Sequence, residues 1–204
     1  MKEEIGVMYS EETLNKKIEE MAEQINGDYA GKTVHLICVL KGNIFFCCEL
    51  ANIWRPKQLE IILNGTNAKL YNDENAKLYY YTDEQKYKIT GIGNVLLKSI
   101  DSVEILKINK DLDEDINGLH CIIVEDIVDS GRTLSMVKKM LEGRNPASLK
   151  LCTLLDKPDR RETDVHVDYT GFEIPDKFVV GFGLDYAQKY RNLPYIGVLD
   201  FIEE

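Results

Sequence analysis

Apolar residues recur along this chain in two rhythms. Behind Ser10 they fall at Leu14, Ile18, Met21, Ala22 and Ile25. That spacing gathers them on one face of a helix, with Ser10 as its cap and Gly27 as its stop. Val34-His35-Leu36-Ile37-Cys38-Val39-Leu40 is instead nearly continuous, as expected of a strand covered on both faces. It ends at Lys41-Gly42, and Ile44, Phe45 and Leu50 predict an apolar helix behind it. Leu59 to Leu63, with Pro56 just before, and Val103 to Ile108 read as further strands. A second continuous run begins at Cys121. It leads through a turn into Leu134, Met136, Val137, Met140 and Leu141, again at helical spacing and closed by Gly143. Leu149 to Leu155, Phe178 to Phe182 and Ile196 to Phe201 complete the strands. Strands alternating with helices predict an α/β fold, a mostly parallel twisted sheet flanked by helices.

Residues 64–101 break the rhythm. They are polar, tyrosine-rich and weakly periodic, and Asn67-Ala-Lys-Leu-Tyr71 returns as Asn75-Ala-Lys-Leu-Tyr79. A connection of this length inside a compact domain is usually functional or mobile. It reads either as an inserted loop or hairpin projecting from the sheet, a possible cover for a site, or as a tolerated surface insertion.

The length of 204 residues suits one domain, 1–204. A formal net charge of −10 disfavours a nucleic-acid surface, because phosphate backbones demand basic patches. The five cysteines, Cys38, Cys47, Cys48, Cys121 and Cys152, lack the spacing of a zinc site and lie mostly in apolar runs. They read as buried thiols of a reducing cytoplasm. Met1-Lys2-Glu3-Glu4 opens no apolar leader, and no run approaches the ~20 apolar residues of a membrane span. The expectation is a cytoplasmic protein without membrane or nucleic-acid partners.

The chemistry concentrates at Cys121-Ile-Ile-Val-Glu125-Asp126-Ile-Val-Asp129-Ser130-Gly131-Arg132-Thr133. A buried strand, a tight glycine turn and a helix N-terminus aim backbone N–H groups at one spot, which makes a phosphate cradle. Glu125 and Asp126, near the strand's carboxyl end, suit ribose hydroxyls or a hydrated Mg²⁺. A plain strand–helix unit with an Asp or Ser cap would look similar. Leu40-Lys41-Gly42 ends another strand, and its glycine permits close approach by a ligand; an ordinary turn is the alternative. Leu155-Asp156-Lys157-Pro158-Asp159-Arg160-Arg161 presents cations at a third strand end. Phe178, Gly181, Gly183, Asp185, Tyr186 and Arg191 cluster towards the C-terminus. His35, His120 and His166 read as structural.

The order of residues 121–133 resembles the signature of type I phosphoribosyltransferases, which bind phosphoribosyl pyrophosphate. The run from Cys121 to Asp200 resembles their purine branch, the hypoxanthine-guanine enzymes, and residues 1–50 resemble it too. The resemblance implies a type I phosphoribosyltransferase-like fold with a small hood. It implies Mg²⁺-dependent purine salvage, in which hypoxanthine or guanine becomes IMP or GMP with release of pyrophosphate. By the same resemblance Asp129 is the proton acceptor near N7, and Lys157 donates to the oxygen at purine position 6. Phe178 and Val179 stack on and read the purine, with Asp185 beside it. Asp129, Ser130, Gly131, Arg132 and Thr133 hold the 5′-phosphate. Glu125 and Asp126 hold the ribose or Mg²⁺, and Asp185 a second Mg²⁺. Lys41, Gly42 and Arg191 meet pyrophosphate, assisted by Arg161. In purine members the Leu-Lys peptide corresponding to Leu40-Lys41 is often cis, and a homodimer or homotetramer is expected.

The chain departs from that pattern twice. Asn43 stands where Gly or Ala is usual. Between Leu63 and Val103 there is no Ser-Tyr pair of the kind found in the family's closing loop, and the segment is longer than the family spacing. The altered loop leaves open a phosphoribosyltransferase-like nucleotide-binding or regulatory protein with weak turnover. An RNA-binding regulator on the same fold is opposed by the acidic balance.

Overall fold

A computed structural model describes residues 2–53, 58–60, 78–81, 86–100, 103–112 and 114–202, those from 58 to 110 as backbone only. Strand β1 (Lys2–Tyr9) precedes helix α1 (Glu11–Asp28), whose cap is Ser10: its hydroxyl accepts from Thr13 N–H at 3.2 Å. The five apolar positions read from the sequence are the buried stripe of this helix. The helix passes through Gly27 and ends one residue later, where Tyr29 N–H donates to the Ile25 carbonyl.

Strand β2 (Val34–Val39) leads to α2 (Ile44–Ile53). Then come β3 (Gln58–Glu60), β4 (Leu78–Tyr81), β5 (Lys86–Ile100) and β6 (Val103–Lys110). The signature run forms β7 (His120–Val128) and α3 (Arg132–Glu142). Four strands follow: β8 (Ser148–Asp156), β9 (Tyr169–Glu173), β10 (Val179–Val180) and β11 (Ile196–Ile202). The main sheet runs β3-β4-β5-β2-β7-β8-β9, and β6 pairs with β5. Its pairs β5–β2, β2–β7, β7–β8 and β8–β9 are parallel. A separate antiparallel sheet, β1-β11-β10, forms the hood.

Period-two alternation sorts the parallel strands onto two cores. Leu36, Cys38, Ile122 and Val124 pack under α1 and α2 with Leu14, Ile18, Phe46 and Leu50. Ile37, Val39, Cys121 and Ile123 pack under α3 with Leu134, Val137 and Leu141. Both faces are therefore covered, which is why these strands read as unbroken apolar runs.

Three expectations change. Residues 64–101 read as an inserted loop or hairpin projecting from the sheet, or as a surface insertion. Residues 61–77 and 82–85 lie outside the described residues. The first half of β5, however, is a central strand: Tyr87 to Ile92 pair in register with Val34 to Val39 of β2. Its far half pairs antiparallel with β6 as a long hairpin. The strand expected at Phe178–Phe182 is only Val179–Val180, because Gly181 (φ 96°) and Phe182 (φ 49°) take left-handed angles. A Cβ at Gly181 would lie 2.1 Å from the Tyr195 carbonyl oxygen, so this bend requires glycine. The strand expected at Leu59–Leu63 is described only as Gln58–Glu60. Strands β1 and β9 went unread; β1 opens on Lys2-Glu3-Glu4 and is only partly buried, so no clean alternation marks it.

Candidate active site

The ends of β2, β7 and β8 point the same way, and ligands of open α/β sheets bind beyond such carboxyl ends. The Leu40-Lys41 peptide after β2 is cis, in keeping with the expectation. Gly42 then lies against β7: a Cβ there would sit 1.8 Å from Asp126 Oδ2. The Gly42 carbonyl oxygen in turn lies 1.8 Å from where a Cβ of Gly183 would be, and Gly183 has φ 101°. The approach at Gly183, against backbone and at a left-handed angle, demands glycine; at Gly42 any Cβ would require the Asp126 carboxylate to shift. The two close approaches bring the Lys41-Gly42 loop, the acidic pair and the Gly183–Arg191 segment into one cleft. Arg191 donates to the Gly183 carbonyl at 2.7 Å and pairs with Asp185 at 2.7 Å. Asp185 also caps a turn by accepting from Gln188 N–H at 2.8 Å.

Asp126 is 8 % exposed and accepts from Ile127 N–H at 2.8 Å. Burial pushes its carboxyl up to about 6, against the pull of that hydrogen bond and of Arg191. Glu125 is driven well above the usual carboxylate range by burial and by Asp126 beside it, to which it hydrogen-bonds. Its Oε2 is buried with no hydrogen-bond partner among the described residues. An orphaned carboxylate oxygen at a cleft is costly unless a ligand answers it.

Beyond β7 the chain turns through Asp129 and Ser130 to Gly131 (φ 80°), the helix cap, and no side chain caps α3. The alternative reading, a helix capped by an Asp or Ser side chain, is not what forms: Gly131 is the cap. The turn is held from behind: Ser130 carbonyl accepts from Glu162 and Thr163 N–H at 2.9 and 3.1 Å, and Arg161 donates to the Asp129 carbonyl at 2.6 Å. Arg132 pairs with Glu162 at 3.2 Å. Ser130 to Thr133 thus form a glycine turn running into the α3 N-terminus, the geometry of an anion site.

Lys157 leaves the end of β8, 6 % exposed, with its backbone N–H on the Val128 carbonyl. Its Nζ stands 3.9 Å from Asp129 Oδ2 and 3.6 Å from Asp176 Oδ1. Phe178 is 51 % exposed, its ring edge-on to Tyr186 at 5.7 Å, and Tyr186 in turn packs on Phe201. Val179 is buried behind it. The site residues read from the sequence are thus arranged around one cleft on three strand ends and one glycine-rich segment.

Three participants were missed. Arg160 bonds Asp129 at 3.1 Å and Asp176 at 3.6 Å. Asp156, buried, pairs with Arg161. Arg160 stood among the cations of the third strand end without a role, and Asp176 is 47 positions beyond Asp129, so only the fold pairs them. His120 bonds Ser148 Oγ at 2.8 Å within the sheet, a structural role, whereas His166 is exposed in a segment outside any strand. Among the described residues no three carboxylate, His or Cys side chains converge as a metal site.

Residues 8–187 match the model of the phosphoribosyl transferase domain. The chain belongs to the phosphoribosyl transferase family. It is 39% identical over 206 residues to hypoxanthine phosphoribosyltransferase of Salmonella typhimurium, covering 100% of both chains. It is 40% identical over 202 residues to hypoxanthine-guanine phosphoribosyltransferase of Mycobacterium tuberculosis, covering 96% of this chain and 86% of that one. A crystal structure of a hypoxanthine-guanine phosphoribosyltransferase from Bacillus anthracis superposes with a TM-score of 0.77 at 36% identity, covering 98% of this chain and 100% of that one.

Proposed function

We propose that this phosphoribosyl transferase makes purine nucleotides for salvage, moving the phosphoribosyl group of phosphoribosyl pyrophosphate to hypoxanthine or guanine. The observation that carries the reading is the pairing of a buried cation with a carboxylate. Lys157 Nζ and Asp129 Oδ2 stand 3.9 Å apart, a donor and an acceptor for the adjacent O6 and N7 of a 6-oxopurine. Adenine, with an amino group at position 6, would set donor against donor. The half-exposed ring of Phe178 offers the purine a flat apolar face. The names of the relatives above support the same substrate class.

In this reading the 5′-phosphate sits on the Ser130–Thr133 turn and the α3 N-terminus. Lys41, Gly42 and Arg191 receive the pyrophosphate. Glu125 and Asp126 face the ribose hydroxyls. The same two carboxylates, with substrate oxygens and water, suit Mg²⁺, which is usually held by one or two carboxylates plus phosphates rather than by a full protein cage. The orphaned Glu125 Oε2 fits that role, and Asp185 is the candidate for a second ion. Bound there, the metal would neutralise charge on the departing pyrophosphate. Attack by N9 on the anomeric carbon forms the C–N bond as the C–O bond to pyrophosphate breaks, through an oxocarbenium-like state. Asp129 takes the N7 proton, freed from Arg160 as the base docks. Holding both reactants in line is the main task of the loops.

Mixing the protein with phosphoribosyl pyrophosphate, Mg²⁺ and each purine tests the reading. Hypoxanthine or guanine should yield nucleotide and pyrophosphate, with loss of both on chelation. Comparable turnover of adenine would overturn the assignment of Lys157. Tight substrate binding without product would favour a regulatory protein on the same fold. Assembly as a homodimer or homotetramer and a cytoplasmic location complete the proposal; no described helix is long and apolar enough to cross a membrane.

A further inference from the structure

Asn43 stands where the pyrophosphate loop meets α2, and its side chain is fully buried. A buried amide must find partners for both its donor and its acceptor. Asn43 does so on two different strands. Its Nδ2 donates to the Val124 carbonyl on β7, and its Oδ1 accepts from Cys38 Sγ on β2 at 2.6 Å. Cys38 and Val124 are themselves register partners, the last such pair between β2 and β7. Past this pair the two strands part. β2 turns into Lys41-Gly42, and β7 goes on to Glu125 and Asp126. The Asn43 amide therefore occupies the place of the next rung, closing the ladder with a side chain where the backbones no longer meet. Its own carbonyl accepts from Cys47 N–H at 2.8 Å, which anchors the same residue to the first turn of α2.

We infer that Asn43 is a positioning residue: it sets the opening between the Lys41-Gly42 loop and the Glu125-Asp126 pair, and so tunes binding of phosphoribosyl pyrophosphate without touching it. The inference rests on the proposed transferase reading. Physically, the loop and the acidic pair must approach closely, since no Cβ fits between Gly42 and Asp126. They must also hold that separation when highly charged groups enter. A rigid tie at the fork supplies both. An Ala at position 43 would remove both ties, the donor to the Val124 carbonyl and the acceptor for the Cys38 thiol, and let the fork relax.

The test compares Asn43→Ala and Asn43→Asp with wild type in initial-rate assays with hypoxanthine. Asn43→Asp keeps an acceptor for Cys38 but cannot donate to Val124. Both variants should raise KM for phosphoribosyl pyrophosphate by about tenfold or more, with KM for hypoxanthine little changed, since small loop displacements carry large kinetic penalties. Ile25→Ala, in the core under α1, should lower the melting temperature without moving that ratio. Cys38→Ala, which frees only the acceptor side, should shift KM in the same direction by less, and serves if neither Asn43 variant folds. Unchanged KM values, or a parallel rise in both, would make Asn43 a core amide only and overturn the inference. Absence of nucleotide with wild type would be a failure of the transferase reading, seen before any variant is made.

Discussion

Gly42→Ala puts the loop geometry to a quantitative test. The added Cβ would start 1.8 Å from Asp126 Oδ2 and 3.1 Å from its Cγ, whereas real contacts stay beyond 3.0 Å. Something must therefore move by about 1.2 Å, the gap between those two distances. One escape is rotation of the Asp126 carboxylate. It is buried, and its Oδ1 accepts from Ile127 N–H at 2.8 Å, so rotation gives up a hydrogen bond to a charged group, worth roughly 1.5–3 kcal/mol. The other escape is retreat of the loop. Gly183 closes that direction, because its backbone already lies against the Gly42 carbonyl. Either movement displaces a group assigned to ribose or pyrophosphate. A misplacement of ~1 Å typically costs ~10²-fold, or about 2.7 kcal/mol of barrier. The expected result is a kcat/KM for phosphoribosyl pyrophosphate lower by roughly two decades, with folding preserved and KM for the purine little changed. Steady-state rates against each substrate, with an unfolding curve to check stability, measure this. Near-wild-type kcat/KM would mean that the carboxylate swings freely, and that the close approach of loop and acid has no part in holding the substrate.

Four further outcomes follow from the same site. Lys157→Met should cut kcat/KM for hypoxanthine by ~10–100-fold, the worth of a buried acceptor left unpaired, and narrow the preference over adenine; competition assays with both purines read this directly. Asp129→Asn should lower kcat by ~10²–10⁴-fold while phosphoribosyl pyrophosphate still binds, since the amide keeps the turn but accepts no proton; an unchanged rate at saturation would reduce Asp129 to a partner of Arg160. The raised carboxyls of Glu125 and Asp126 make ligand-free stability depend on pH. Both remain protonated in the fold above the ordinary carboxylate range, so their contribution is full below pH ~4, and the share of Asp126 is lost as pH rises through about 6. Asp126 alone is worth at most roughly 3 kcal/mol over that window, and urea midpoints of wild type minus Glu125→Gln/Asp126→Asn at pH 5 and pH 8 should show the loss. Replacing 67–75 by a short Gly/Ser linker, which spares β5, should increase hydrolysis of phosphoribosyl pyrophosphate if this segment covers the site; transfer at full rate without hydrolysis would show that it does not.

Legibility in the sequence followed burial. The strands that are covered on both faces, β2, β7 and β8, announce themselves as apolar runs, and the stripe of α1 was read residue for residue. The candidate site was legible because its residues cluster at the ends of those same strands. What escaped was set by pairing rather than by period. Lys86-Tyr-Lys-Ile-Thr-Gly-Ile-Gly carries polar and glycine residues, so nothing local marks β5 as central; its place comes from register against β2. The bend at Gly181 and Phe182 is likewise fixed by the Tyr195 carbonyl from a later segment, not by the apolar run Phe178-Val-Val that suggested a strand. Arg160 and Asp176 lie 16 positions apart in sequence and meet only in the fold, as an ion pair.

The same contrast explains how the site withstands its own charge. Two acids at one strand end repel each other and resist burial, so on their own they would disfavour this fold at neutral pH. The chain answers with backbone rather than counter-charge alone. Ile127 N–H holds Asp126, Gly42 admits the carboxylate where a side chain would collide, and Arg191 supplies positive charge while tied to Asp185 and the Gly183 carbonyl. Glu125 Oε2 keeps no partner among the described residues. A ligand bringing hydroxyls or a divalent cation would relieve that cost, so binding and stability should be linked. Saturating Mg²⁺ and phosphoribosyl pyrophosphate should raise the unfolding midpoint most at pH 8, where Asp126 is charged, and least at pH 5, where ligand and proton compete for it. Equal stabilisation at the two pH values would show that the acidic pair lies outside the substrate's reach.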